Sequence, residues 1–191
     1  MLLLEGVKKP DKIVKLLQAL AFQVGNQVSY NELSQIVGMN NATVEKYITM
    51  LEQSFVIFRL GSFSRNLRIE LSKSRKIYFY DNGIRNALVG NFNPIETRSD
   101  VGALWENFLI SERLKFLHNN ERWVQRFFWR TTEQQEVDYI EEEEGALRAF
   151  EFKWNKATKA KISKTFSNAY PNAETIIISP ENYEPFITDL A

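Results

Sequence analysis

The 191-residue chain contains no cysteine and a single histidine, His118. The lack of cysteine excludes disulfides, thiol catalysis and zinc sites built from Cys and His. A Ser-His-Asp triad would have to use His118, which precedes Asn119 and Asn120 at a predicted helix end. At that place we expect a surface or capping role for the imidazole rather than catalysis.

The chain also lacks net charge and long apolar runs. The 24 Lys and Arg residues balance the 24 Asp and Glu residues, so any basic surface that attracts nucleic acid or membrane must be local. No apolar run reaches bilayer-spanning length, and residues 1–4 are too short for a signal peptide, so we expect a cytoplasmic location without membrane contact. The chain length fits one or two small domains, and we favour two.

The first half of the chain predicts three helices followed by a β-hairpin. Apolar residues at helical spacing mark residues 11–24, a capping-box pattern opens a short helix at Ser29, and a third helix follows Asn40. Residues 55–60 are expected to pair with residues 67–71 around a wing. This order is typical of a winged helix-turn-helix. The expected core includes Leu16, Leu20, Leu33, Ile36, Ile48 and Leu51.

A local excess of basic residues lies in and after the predicted hairpin, where residues 59–76 contain only one acid, Glu70. A phosphate backbone could bind there, together with a basic amphipathic helix predicted from residue 156 to near Pro171. In the alternative, the three helices pack against another domain or subunit and the basic stretch is a solvated edge. The candidate nucleic-acid-binding residues are Arg65, Arg68, Lys73, Arg75, Lys156 and Lys159.

The remaining elements complete the first domain and predict a second one. Residues 76–80 form a short strand and residues 84–89 a brief helix, and the turn-rich residues 90–100 separate domain 1–90 from domain 91–191. A long helix to about Leu117, three strands, the basic helix and a buried strand at residues 175–179 then give the order α-β-β-β-α-β in a mixed sheet. The predicted fold class is α+β.

Acidic residues alternate with apolar ones around residues 136–153. Asp138 lies on one strand of a predicted hairpin, and Glu151 and Lys153 share a face of the next strand. Glu106 lies on the preceding helix, where its three- and four-residue neighbours are apolar or small, so its carboxylate needs a cation. Oxygen ligands of this kind suit magnesium or manganese, with Glu106, Asp138, Glu151 and the carbonyl of Phe152 as the expected ligands. The bland alternative is a solvated hairpin edge with a surface pair of Glu151 and Lys153.

Asp138, the Glu-x-Lys motif at residues 151–153 and the helical Glu106 resemble the PD-(D/E)XK nuclease superfamily, which has the restriction-endonuclease-like fold. The resemblance covers about residues 102–179 and departs from the pattern at Val137, which replaces the proline. It implies that Asp138 and Glu151 bind magnesium, that Glu106 assists, and that Lys153 stabilises or orients the attacking water.

A second resemblance covers more of the chain. The winged helix, the residues 76–88 (KIYFYDNGIRNAL) and the motifs WEN, FWR, EVDY and FEFK are similar to the C-terminal half of a family of prokaryotic AAA-type ATPases. This resemblance implies an ATPase module as partner within a longer protein. No nucleotide-binding motif of the type Gly-x-x-x-x-Gly-Lys-Ser/Thr occurs in the chain, so it cannot bind ATP by that route.

Three functions remain open on the sequence alone. The first is a metal-dependent nuclease, the second a non-catalytic DNA-binding or regulatory module of the ATPase, and the third an oligomerisation or docking domain. Metal binding separates the first from the others, and salt-dependent DNA affinity separates the second from the third.

Overall fold

A computed structural model describes residues 10–64, 75–155 and 161–188. None of the helices in these ranges is long and apolar enough to cross a membrane. The helices are α1 (Pro10–Phe22), α2 (Tyr30–Val37), α3 (Asn41–Gln53), α4 (Asn82–Val89), α5 (Val101–Asn119), α6 (Lys164–Ala169) and α7 (Tyr183–Thr188). The strands are β1 (Gln27–Val28), β2 (Ile57–Ser62), β3 (Arg75–Phe79), β4 (Gln125–Arg130), β5 (Glu136–Glu143), β6 (Ala146–Phe152) and β7 (Glu174–Ile178).

The strands of the described ranges form one mixed sheet in the order β1-β3-β2-β4-β5-β6-β7. Strand β3 pairs antiparallel with both β1 and β2. Strand β2 also pairs in parallel with β4, where Gly61 lies opposite Phe127 and Ser62 opposite Phe128. The same sheet therefore includes strands from both halves of the chain.

Among the described residues, the three predicted helices of the first half and the predicted element order of the second half are confirmed. Three helices precede β2, and α5 is followed by β4, β5, β6, α6 and β7 in the order α-β-β-β-α-β. The predicted caps also form. The Ser29 side chain accepts a hydrogen bond from the amide of Glu32, α2 ends at Gly38 with φ of 62°, and Asn40 caps α3.

Two details of the first half differ from the sequence prediction. Residues 57–60 of β2 pair with β3, whereas the predicted partner, residues 67–71, lies outside the described residues. Ile36 is 38% exposed because the buried side of α2 carries Leu33 and Val37, four residues apart, and Ile36 lies off that line. The other five expected core residues are buried: Leu16, Leu20, Leu33, Ile48 and Leu51.

Two elements of the second half also differ. Helix α6 begins at Lys164, and residues 161–163 are not helical, because Ser163 caps the helix by accepting a hydrogen bond from the amide of Phe166. Among the described strands, β7 lies at one edge of the sheet and pairs with β6 alone. Only its last residue, Ile178, is buried, and Ile177 is 40% exposed. A continuous β-branched run is thus compatible with an edge strand as well as with a buried one.

The turn-rich segment 90–100 is held by a network of charged groups. Asp100 accepts hydrogen bonds from Arg98 and Arg85, and the buried Arg85 also donates to the carbonyl of Ala21. The hydrogen bonds from Arg98 and then from Arg85 hold the pKa of Asp100 well below its ordinary value. The junction between the predicted domains is therefore fixed to α1 and α4.

A second ion pair lies inside the core of the later half. Arg113 on α5 donates to both carboxylate oxygens of Glu141 at 2.7 and 2.9 Å, and also to the carbonyl of Phe186. Tyr139 and Arg148 contact the same carboxylate. Glu141 has no exposed surface, and each of its oxygens has a partner.

Candidate metal and catalytic site

An irregularity in β5 breaks the predicted alternation at Asp138. Phe127 pairs with Ile140 and Trp129 with Val137, so β5 uses one residue more than β4 between these pairs. Strict alternation along the strand would place Val137 and Ile140 on opposite faces. Both residues instead pack in the same core cluster, around Phe166, so the prediction of unbroken alternation is wrong here. A bulge of this kind re-aims a side chain and is common beside active sites.

Asp138 is fixed by the neighbouring strand. Its Oδ2 accepts a hydrogen bond of 2.8 Å from the amide of Phe152, so Phe152 contributes its N–H to this residue. Burial, and then the negative charges of Glu106 and Glu151, raise the pKa of Asp138 well above its ordinary value, against the opposing effects of Lys76 and the amide. The three predicted acids thus lie close enough to interact electrostatically.

The cation that Glu106 needs is supplied by β3. Lys76 donates to Glu106 Oε1 at 3.0 Å, and the hydroxyl of Tyr78 donates to the same oxygen at 2.5 Å. Both donors are almost fully buried. Burial raises the pKa of Tyr78 well above its ordinary value, and the carboxylate of Glu106 raises it further. The phenol therefore remains protonated and can only donate to the carboxylate.

Lys76 also contacts a fourth acid, Glu136, in addition to Glu106. Its ammonium pairs with Glu136 Oε1, while Glu136 Oε2 lies 3.3 Å from Arg130. Burial acts to lower the pKa of Lys76, but the charges of Glu106 and Glu136 leave it raised above the ordinary value. This lysine therefore carries a positive charge among the carboxylates at neutral pH.

Glu151 and Lys153 form the pair expected from their spacing. Lys153 donates to Glu151 Oε1 at 2.7 Å, whereas Glu151 Oε2 is buried and has no hydrogen-bond partner within the described residues. Burial raises the pKa of Glu151 above its ordinary value against the lowering effect of Lys153. A buried carboxylate oxygen without a donor is costly, and a cation would satisfy it.

Gly25, which follows α1, lies against the carboxylate of Glu106. Its φ is 79°, and a Cβ at this position would lie 3.4 Å from Glu106 Oε2. Glycine meets both requirements, since it adopts a left-handed backbone without strain and leaves room for the carboxylate. The first half of the chain therefore contributes Gly25, Lys76 and Tyr78 to a site whose acids belong to the second half.

The carboxylate cluster, as we name the group of Glu106, Glu136, Asp138 and Glu151, holds more acids than cations. Lys76 and Lys153 supply two ammonium groups to four carboxylates, and Arg130 touches only its edge. Among the residues that the structure describes, no three His, Asp or Glu side chains form a group ready to hold a metal ion. The free Glu151 oxygen and the surplus of carboxylates nevertheless suit a hard cation such as magnesium.

The predicted nucleic-acid-binding residues lie mostly outside the described ranges. This applies to Arg65, Arg68, Lys73, Lys156 and Lys159. Arg75 is described at the start of β3, where its guanidinium lies 5.9 Å from the ring centroid of Tyr30. Its role in nucleic-acid binding stays a prediction.

Lys76, Tyr78 and Glu136 are not among the site residues predicted from the sequence. A signal for the first two exists, because a strand that alternates Lys76, Tyr78 and Tyr80 places polar groups on one face. What is missing from the sequence is the pairing of β2 with β4, which places β3 in the same sheet as the later strands, with β2 between β3 and β4. That contact joins residues far apart in the chain.

Two family models match the chain, and both are described as domains of unknown function. DUF8612 matches residues 1–94 and DUF4143 matches residues 101–190. The chain is similar to two curated mycobacterial proteins, uncharacterized protein Rv2008c of Mycobacterium tuberculosis and uncharacterized protein Mb2031c of Mycobacterium bovis. Each is 27% identical over 152 residues, which cover 78% of this chain and 33% of the relative. The aligned region thus spans about a third of the length of these relatives. No solved structure matches the chain.

Proposed function

We propose that the chain is a nuclease-like module that acts on DNA with magnesium or manganese, and that it forms part of an AAA-type ATPase. The observation that carries the proposal is the carboxylate cluster, where Glu151 Oε2 is buried, has no hydrogen-bond partner in the described part of the chain, and lies beside an excess of acids. The proposal includes the finer fold assignment of a winged helix followed by a restriction-endonuclease-like domain. It is supported by three helices before β2 and by the order α-β-β-β-α-β.

The residues of the chain have distinct parts in this proposal. Asp138 and Glu151 offer the oxygens that would hold the ion, and the Phe152 amide orients Asp138. Lys76 neutralises Glu106 and Glu136 and so limits the repulsion between the acids. When bound, the ion would polarise a phosphodiester and lower the pKa of a bound water.

Lys153 is the residue through which the cluster would act on the substrate. Its side chain is 30% exposed, whereas that of Lys76 is 1% exposed. The ammonium of Lys153 can therefore meet a ligand from solvent and balance negative charge that develops on phosphate oxygens. Lys76 has a supporting role, because it is buried among the acids.

The metal hypothesis is tested by calorimetric titration of Mg²⁺ and Mn²⁺ into the wild type and Asp138→Asn. The matched control is Glu133→Gln, which removes one acid from an exposed turn between β4 and β5. We expect binding by the wild type and the control, and none by Asp138→Asn. Equal binding by the wild type and Asp138→Asn would refute a metal site at this cluster.

Catalysis is tested separately with labelled single- and double-stranded DNA in the presence of Mn²⁺. Lys153→Met should retain the metal and lose most of the cleavage rate, because a charge that acts on the transition state need not contribute to ion binding. Cleavage at the wild-type rate by Lys153→Met would contradict the assigned role.

The second candidate function is a catalytically inactive DNA-binding, regulatory or docking module of the same ATPase. The observation that favours it is that Glu106 Oε1 already accepts hydrogen bonds from Lys76 and Tyr78. Metal binding without cleavage of any DNA would support this function over the nuclease.

The ATPase association rests on the resemblance and on the length of the relatives, of which the aligned region covers a third. It predicts that the full-length relatives bind ATP through their remaining residues. Equilibrium binding of a fluorescent ATP analogue to full-length Rv2008c tests this, and a lack of binding would contradict the association.

A further inference from the structure

Two adjoining cavities form a groove beside the C-terminal half of α5. Their volumes are about 730 and 480 Å³. Tyr80, Leu114, Val124 and Arg126 line both cavities, so we describe them together as the Tyr80 groove. His118 lines its outer part, about 18 Å along the helix from Glu106 at 1.5 Å per residue. The groove is thus separate from the carboxylate cluster.

Two exposed aromatic rings line the outer part of the Tyr80 groove. Trp123 is 94% exposed and Phe55 is 71% exposed. The ring of Phe55 lies edge-on to Tyr80, with centroids 5.8 Å apart. Large exposed rings in a concave surface offer stacking area to a planar ligand.

Phe55 occupies a backbone position that favours another residue. It follows the end of α3 with φ of 54°, the left-handed conformation in which helices usually end with glycine or asparagine. A phenylalanine there is strained by roughly 1 kcal/mol. Because the Phe55 ring is mostly exposed, burial of its apolar surface within the described fold does not offset this strain.

The charges of the groove favour an anion. Within the described ranges, the guanidinium of Arg126 makes no hydrogen bond or ion pair, although the opposite residue in the sheet is Glu141. Glu141 already contacts Arg113 and Arg148. Of the acids that line the groove, Glu52 pairs with Arg59, and the other is Glu121.

We propose that the Tyr80 groove binds single-stranded nucleic acid, with bases stacked on Phe55 and Trp123 and a phosphate bound by Arg126. Aromatic platforms combined with cations are the usual means of binding unpaired strands without sequence preference. An arginine that makes no ion pair within the described ranges, beside exposed rings, fits this ligand better than an apolar peptide segment, which offers no charge to Arg126. The binding does not require the metal or cleavage.

The probe is a fluorescein-labelled oligothymidylate of about 12 nucleotides, within the usual range of site sizes for unpaired strands. Fluorescence anisotropy is measured at low salt with EDTA present. Because EDTA removes divalent metal ions, a lack of binding in this assay can be told apart from a failure of the nuclease proposal. Trp123→Ala should weaken binding about tenfold. Arg126→Gln should weaken it and also reduce the slope of log K against log salt by about 0.7.

Phe55→Gly provides a readout that structural damage would not produce. Glycine relieves the left-handed strain at φ of 54°, so the thermal unfolding temperature should stay equal or rise while oligothymidylate binding falls about tenfold. Phe22→Ala is the matched control, because Phe22 on α1 is 69% exposed and does not line the groove. Its affinity should equal that of the wild type.

Three results would overturn the proposal. The first is a lack of binding by the wild type in EDTA at low salt. The second is wild-type affinity in both Trp123→Ala and Arg126→Gln. The third is equal affinity for a blunt duplex of the same length. The first would leave the groove to a protein partner, and the second would place nucleic-acid binding elsewhere on the chain.

Discussion

The Arg113–Glu141 pair and the carboxylate cluster both place acids and cations in the interior, yet they differ in balance. Each oxygen of Glu141 has a partner, and Arg113 meets it with two nitrogens. In the carboxylate cluster the acids outnumber the ammonium groups, and Glu151 Oε2 has no hydrogen-bond partner among the described residues. Among the described residues, the first arrangement is complete, and the second is not.

This difference separates a structural ion pair from a candidate functional site. Removal of one partner from a paired, fully hydrogen-bonded charge destabilises the protein. Such a pair has no remaining hydrogen-bonding capacity with which to bind a ligand. Burial, and then the charges of neighbouring acids, raise the pKa values of Asp138 and Glu151, and a bound cation would offset both effects. Substitutions in the two places should therefore change stability in opposite directions.

The largest effect is expected for Arg113→Met. It leaves the buried carboxylate of Glu141 without its main partner, which should cost about 3–5 kcal/mol in the free energy of unfolding. Urea denaturation measures this. The control is Lys115→Met, which breaks an exposed pair with Glu112 and should cost less than about 1 kcal/mol. Equal losses in the two variants would refute the comparison.

A second balanced group, around Asp100, should show a smaller loss with a defined pH dependence. Asp100→Asn weakens charge-assisted hydrogen bonds from Arg98 and Arg85 and should cost about 2 kcal/mol at neutral pH. The pKa of Asp100 is lowered in the folded state, so its stabilisation is present above the unfolded pKa of about 4 and is lost as pH falls below it.

Thermal unfolding from pH 2 to pH 7 checks this expectation, with Asp11→Asn, at an exposed position of α1, as the control. The curves of the wild type and Asp100→Asn should converge toward acid pH. A constant difference across the range would show that the carboxylate charge is not the source of the effect.

At the carboxylate cluster the sign should reverse. Asp138→Asn removes one of the crowded charges and retains an oxygen that can accept from the Phe152 amide, so the metal-free protein should gain about 1 kcal/mol. Unfolding in EDTA measures the gain. Glu141→Gln, at the balanced pair, should instead destabilise the protein, and a loss of stability in both variants would remove the contrast.

The smallest effect concerns the packing of Gly25 against Glu106. Gly25→Ala should cost about 1–2 kcal/mol through its left-handed backbone alone. Gly90→Ala is the matched control, because Gly90 has φ of 66° and none of the described atoms lies within 4 Å of the position that a Cβ would take. The difference between the two variants, a few tenths of a kcal/mol, reports the crowding of Glu106. No difference would mean that the carboxylate moves aside freely.

The helices and strands were predictable where the pattern is local. Capping residues such as Ser29 and Asn40 mark helix starts, and the spacing of Glu151 and Lys153 places them in contact. Exposure was harder to predict for β7, since Ile177 is apolar but lies on an edge strand. Local composition does not say where a strand stands in its sheet.

The acids of the candidate site could be found from sequence, but their internal cation could not. Glu106 needs a positive partner, and the sequence alone favours a metal ion as that partner. Lys76 is 30 residues away in the chain and reaches the site only because β2 pairs with strands of both halves. Tertiary pairing between distant segments leaves no periodic signal in either segment.

The shared sheet also limits how the two halves of the chain can be exchanged between related proteins. The DUF8612 and DUF4143 matches meet between residues 94 and 101, but β3 carries the lysine that neutralises Glu106. A chimera that joins the first half of this chain to the second half of a relative must therefore keep both the β2–β4 register and a cation at position 76. Recombination at the sequence boundary would produce a functional protein only between parents that already agree at these two places.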